Sequence, residues 1–165
     1  MPRAVRPPNP GEQDPGKAAV REAQEDPPKR GSRNIMNAEE ARALWVKALR
    51  SGEYKQARGR LRSEDSYCCL GVACDLYSKH VLKKDAWRRY STTIARFVSY
   101  TFLGQGGALP LEVIKWLGIR GDYGELKDGT TLMQMNDDPK NEEGFNGIAD
   151  LIEKGALVLE EEESL

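Results

Sequence analysis

The chain has 165 residues, with 25 Lys/Arg against 26 Asp/Glu and a formal net charge of −1, a balance that argues against a protein built to coat long nucleic acid. No run approaches the roughly 18 to 20 consecutive apolar residues that cross a bilayer, and the proline-rich, charged N-terminus lacks the apolar core of a secretory signal. Three cysteines, two of them adjacent, make a poor disulfide framework and point to a reducing, cytoplasmic compartment.

Residues 1–35 hold seven of the nine prolines and almost no bulky apolar side chains, so they are expected to be a disordered N-terminal extension. Met36 follows and fits a translation start, because Asn37 and Glu40 form a capping-box pattern. A first helix is predicted from about Ala38 to Arg50, with Ala41, Leu44, Trp45, Ala48 and Leu49 on one apolar face and Ser51-Gly52 as its end. Tyr54 to Arg62 alternates polar and less polar residues and reads as a short extended segment or hairpin arm. Ser63 to Ser66 has N-cap chemistry, which predicts that the next helix starts there.

That helix, Tyr67 to Tyr77, is apolar on every side and is expected to be the buried element around which the domain is organised. The following residues are basic, and the β-branched, aromatic stretch Thr92 to Phe102 predicts one or two strands. Gly104-Gln105-Gly106-Gly107 lacks the Lys-Ser/Thr ending of a phosphate loop and reads as a flexible connection. Leu109 to Gly118 predicts a short helix with Pro110 in its first turn, and Thr130 to Met135 is helical or extended. Asn136-Asp137-Asp138-Pro139 reads as its stop, and Phe145 to Lys154 as a last amphipathic helix. Together these predict one predominantly helical α+β domain over residues 36–159, with a short strand or hairpin element and an acidic disordered tail over residues 160–165.

Charge is distributed unevenly along this plan. Residues 47–96 carry twelve Lys/Arg against five Asp/Glu, and residues 112–163 five against fourteen. The middle of the chain is therefore suited to an anion, or to facing the acidic half.

A series of short blocks in one order, Trp45 to Gln56, Leu61-Arg62, Tyr67-Cys68-Cys69-Leu70-Gly71-Val72 with Cys74-Asp75, Leu109-Pro110, Met135-Asn136-Asp137, Phe145 and Ile148 to Glu153, resembles a family of small phage and prophage proteins without an assigned function. The resemblance spans about residues 42–153 and implies a viral or prophage origin and a place in the host cell cytoplasm. It implies no activity. The chain departs from that pattern at Ala57, at Ala73 and in the charged stretch Asp138 to Gly144.

Cys68, Cys69, Cys74 and His80 have the side chains zinc uses, but Cys68 and Cys74 are about 240° apart on a helix, as are Cys74 and His80. Cys69 and His80 share a face yet lie roughly 16 Å apart along it, too far for a nucleophile and base. No metal, cofactor or catalytic residue is assigned. Asp75 is costly in an apolar helix unless paired; Arg58, Arg60 or Arg62 could pair it, or it could face a ligand. Tyr54, Gln56, Arg58 and Arg62 offer aromatic rings and guanidinium forks for an anionic ligand, and Asn136 and Asp137 are either a turn and cap or a polar pocket wall.

The candidate ligand-binding set is therefore Tyr54, Gln56, Arg58, Arg62, Asp75, Asn136 and Asp137. The expected function is a non-enzymatic phage accessory protein that binds and neutralises a host component, either a small anionic, nucleotide-like ligand or a host defence protein. Alternatives are a hydrolase or transferase using Asp75 and Asp137, and a weak DNA-binding module, although nucleic acid is disfavoured as a partner. Trp45, Trp87 and Trp116 exceed what one small core must consume, which leaves room for a homo-oligomer.

Overall fold

The computed structural model describes residues 36–91 and 98–160; the expected disorder of residues 1–35, the first half of the stretch 92–102 and the end of the acidic tail lie outside them. Asn37 caps helix α1 (Ala38–Arg50), its side chain accepting from the Glu40 amide while Glu40 reaches back to the Asn37 amide. Its buried stripe is Ala41, Trp45, Val46 and Leu49, so Val46 joins the predicted face. Gly52 follows the Ser51 cap with a φ of 81°, the left-handed geometry that ends helices.

Three two-residue strands come next: β1 (Lys55–Gln56), β2 (Arg62–Ser63) and β3 (Ser66–Tyr67). They form a small sheet in the order β1-β3-β2, parallel between β1 and β3 and antiparallel between β2 and β3. The predicted helix start at Ser63 to Ser66 is therefore incorrect. Those residues turn between two strands, and helix α2 (Cys69–Tyr77) begins later with Cys68 as its N-cap, the sulfur accepting from the Gly71 amide at 3.3 Å. Sulfur is a weak acceptor, which is why the usual N-cap residues pointed elsewhere.

Every residue of α2 from Cys69 to Leu76 is buried, as expected of a helix apolar on all sides. Helix α1 packs against it, and the Trp45 indole donates to the Cys69 carbonyl at 2.9 Å. The chain then continues as one π-helical turn, Ser78–Leu82, that ends at Lys83 with a φ of 59°. The basic segment forms strand β4 (Trp87–Ser91), paired antiparallel with β5 (Val98–Phe102) from Trp87 opposite Phe102 to Ser91 opposite Val98. The strand expectation holds for β5; β4 went unread because its two arginines masked the alternation.

After β5 the glycine turn is tied down rather than loose, since Gly106 accepts from the Leu61 amide and Gln105 from the Phe102 amide. Helix α3 (Leu111–Leu117) takes Pro110 as its N-cap and Gly118 as its left-handed C-cap. Helix α4 (Leu132–Asp137) opens with a capping box between Thr131 and Gln134 and includes Asn136 and Asp137, which are not its stop. Helix α5 (Gly144–Glu153) packs against α1 and α4, and the last described residues bridge Leu157 to Leu126 and Leu159 to Ile119. The result is a predominantly helical α+β domain in which α1, α3 and α4 pack on the buried α2.

Candidate functional site

The candidate residues separate into two groups. Gln56, Arg58, Asn136 and Asp137 form a polar lock between the β1 arm and α4. Asn136 is fully buried, and its side-chain oxygen accepts from the Cys69 amide and from Gln56 Nε2, both at 3.0 Å, while its amide nitrogen donates to the Ala57 carbonyl at 2.8 Å and to Asp137 Oδ1 at 3.0 Å. Arg58 Nε donates to the Asn136 carbonyl at 3.1 Å, and Asp137 also accepts from the Gly59 amide. An amide with two donors and two acceptor sites thereby spends its whole capacity on the fold.

Tyr54, Arg62 and Asp75 meet on the other side of the arm. The Tyr54 hydroxyl donates to Asp75 at 2.6 Å, the Trp87 indole donates to it at 3.0 Å, and Lys79, four residues on in the π-turn, pairs with it at 3.0 Å. Asp75 is thus paired within the fold by Tyr54, Trp87 and Lys79, while Arg58 and Arg62 make their contacts elsewhere. Burial, then the bond to Asp75, pushes the Tyr54 hydroxyl well above its ordinary value. Burial also raises Tyr67, with the Asp75 charge adding to it.

Arg62 has a different role. Its guanidinium sits 5.1, 5.4 and 4.1 Å from the ring centres of Tyr67, Trp87 and Tyr100, a three-ring cation–π arrangement. Nε donates to the Glu64 carbonyl at 2.9 Å; among the described residues, none accepts from its two terminal nitrogens. The rings form a row of edge contacts from Tyr54 to Tyr67, Trp87 and Tyr100. Arg62 is therefore a cation held in place by the fold itself.

Around it opens a cleft of about 620 Å³ lined by Arg62, Tyr67, Asp75, Ser78, Lys79, Lys83, Lys84, Asp85 and Trp87. That volume lies in the range of small-molecule sites. Four cations face two carboxylates, one of which is already occupied by Lys79. The Ser78 hydroxyl shapes the wall by donating to the Lys84 carbonyl and accepting from the Ala86 amide. A π-turn and a left-handed lysine are both costly local choices that concentrate at functional sites. Lys79, Lys83, Lys84, Asp85 and Trp87 were not among the residues expected from the sequence; the signal was the basic run after Tyr77, which could be assigned to no partner without the π-turn that brings it to the cleft.

The thiols stand apart from this cleft. All three are buried, and burial pushes Cys68 up to about 12 and raises Cys69 and Cys74 well above the ordinary value, whereas His80 is exposed. Such thiols are poor nucleophiles. Among the described residues no group of three His, Cys, Asp or Glu is placed to hold a metal ion, and no helix is long and apolar enough to cross a membrane. Asp137 lines a separate cleft with Tyr123, Met133 and Asp138, so the structure does not bring Asp75 and Asp137 into one site.

A family model described as Domain of unknown function (DUF8296) matches residues 36–156, and the chain belongs to that family. No match to a curated protein or to a solved structure is found.

Proposed function

We propose that this member of the DUF8296 family is a non-enzymatic binding protein that takes up a small anionic, nucleotide-like ligand in the cleft around Arg62. The phage-like order of its sequence blocks supports a wider reading: an accessory protein that withholds the ligand in the cytoplasm of an infected host. One observation carries the binding reading. Arg62 is pinned by three aromatic rings, its terminal nitrogens have no hydrogen-bond acceptor among the described residues, and it shares a cleft of ligand size with Lys83 and Lys84. A guanidinium fork matches phosphate oxygens in two-point geometry, and the lysines add point charges.

Asp75 is a framework residue in this reading, since its oxygens are taken by Tyr54, Trp87 and Lys79. Equilibrium dialysis of the full chain against pyrophosphate and nucleoside triphosphates, with chromatography of the recovered ligand, tests the proposal. Saturable binding of unaltered ligand, lost in Arg62→Ala and Lys84→Glu, is expected. Absence of binding by every phosphate compound, or conversion of the ligand, would overturn it.

A further inference from the structure

We infer that the ligand of this cleft is a nucleoside polyphosphate whose phosphates lie at Lys83, Lys84 and Arg62 and whose base lies on the face of the β4–β5 hairpin that carries Arg89 and Tyr100. The inference rests on the binding reading above and assigns the second half of the ligand.

Arg62 belongs to two surfaces at once. It lines the cleft, and its guanidinium stacks on Tyr100 of β5 at 4.1 Å. Directly opposed residues of an antiparallel pair project to the same side, so the register of Trp87 with Phe102 and of Arg89 with Tyr100 puts all four on one face of the hairpin. Trp87 lines the cleft. The next step outward on the same face, about 6.8 Å further along the strand, is the pair of exposed Arg89 and half-buried Tyr100.

The surface beyond the phosphate-sized corner therefore alternates guanidinium, ring and guanidinium. Tyr100 already stacks on Arg62 and touches Trp87, so what a bare phosphate or pyrophosphate would leave uncontacted is the exposed Arg89 and the ring edge beside it. A nucleobase supplies what they suit, a flat π-system that stacks on rings and on guanidinium planes alike. Stacking of this kind tolerates any base, because every base has a π-face.

The test is isothermal titration of the full chain with pyrophosphate and, separately, with ATP, GTP, CTP and UTP, on wild type, Arg89→Ala, Tyr100→Leu and Lys84→Glu. Triphosphates are expected to bind at least about tenfold tighter than pyrophosphate, as stacking of one base allows. Arg89→Ala should cut triphosphate affinity toward the pyrophosphate level and leave pyrophosphate affinity unchanged, while Lys84→Glu should lose both. Arg89 is exposed, so this variant keeps the test valid even if Tyr100→Leu loosens the Arg62 cage. Equal affinity for pyrophosphate and triphosphates, or triphosphate binding unmoved by Arg89→Ala, overturns the base assignment and leaves the cleft reading standing. Binding of neither removes both. A single-stranded oligonucleotide that binds tighter than any triphosphate, with steep salt dependence, overturns the small-ligand assignment in favour of a strand.

Discussion

Gly71 lies so close to Leu61 that a methyl group on its α-carbon would sit 1.9 Å from the Leu61 carbonyl oxygen and 2.8 Å from its carbon. The contact is backbone on backbone, so neither side can swing away. It lets α2 approach the segment that leads into β2, where the Leu61 carbonyl accepts from the Cys68 amide at 3.0 Å. Gly71→Ala is expected to destabilise the domain by about 3 kcal/mol or more, at the upper end of overpacking, although alanine has the better helix propensity. Urea unfolding followed by tryptophan fluorescence checks this, and an unchanged midpoint would contradict the close approach.

Asn136 is the second such joint. Replacing it with alanine strips the buried Cys69 amide and the half-buried Ala57 carbonyl of their partners, and an orphaned buried group costs about 1 to 3 kcal/mol. Asn136→Ala should therefore lower stability by about 3 kcal/mol, and Asn136→Asp, which keeps the acceptor but loses the amide donors, should also destabilise. Hydrogen exchange at the Cys69 amide gives the local readout: it should speed up in Asn136→Ala.

Lys83 holds a left-handed conformation at the end of the π-turn, where glycine carries no steric penalty. Lys83→Gly is expected to raise stability by about 0.5 to 1 kcal/mol while weakening phosphate binding, the opposition seen where a strained residue serves a site. A thermal melt paired with a pyrophosphate titration measures both. Stabilisation without loss of binding would remove Lys83 from the site.

The buried thiols make stability fall at alkaline pH. Cys68, Cys69 and Cys74 keep their protons in the folded chain beyond the pH at which the unfolded chain releases them. Their contribution is fully present below about pH 8.5, the ordinary thiol value, and is lost as pH rises toward the folded value, about 12 for Cys68. In that window the unfolded state binds fewer protons, and stability should drop by about 1.4 kcal/mol per pH unit for each thiol. Denaturant midpoints at pH 7.5 and 10, with reductant present, should show the fall. Replacing Cys74 with alanine should make it shallower.

Much of the framework was legible from the residues alone, because it depends on near neighbours. The capping box of Asn37 and Glu40, the all-round apolar character of Cys69 to Leu76 and the helix at Gly144 to Glu153 follow from local chemistry and period. Cys68 as a cap did not follow, because sulfur is a weak acceptor that the usual cap preferences pass over, and the strand at Trp87 to Ser91 and the helical state of Asn136 did not, since each depends on partners outside its own segment. The candidate site divides the same way. Tyr54, Arg62 and Asp75 were nameable by residue type, yet their roles were not: Asp75 is bound by Tyr54, Lys79 and Trp87 rather than by an arginine.

Sequence by itself determined that one apolar helix must be enclosed and that the positive charge lies in the middle of the chain, because hydrophobicity and charge are properties of residues. Only the tertiary structure decided which cations converge. Arg62 is held by rings contributed by β3, β4 and β5, and Lys83 and Lys84, which follow the π-turn, line the same cleft. Convergence is a property of distances, and in this chain those distances are set by packing between segments up to 38 residues apart, from Arg62 to Tyr100.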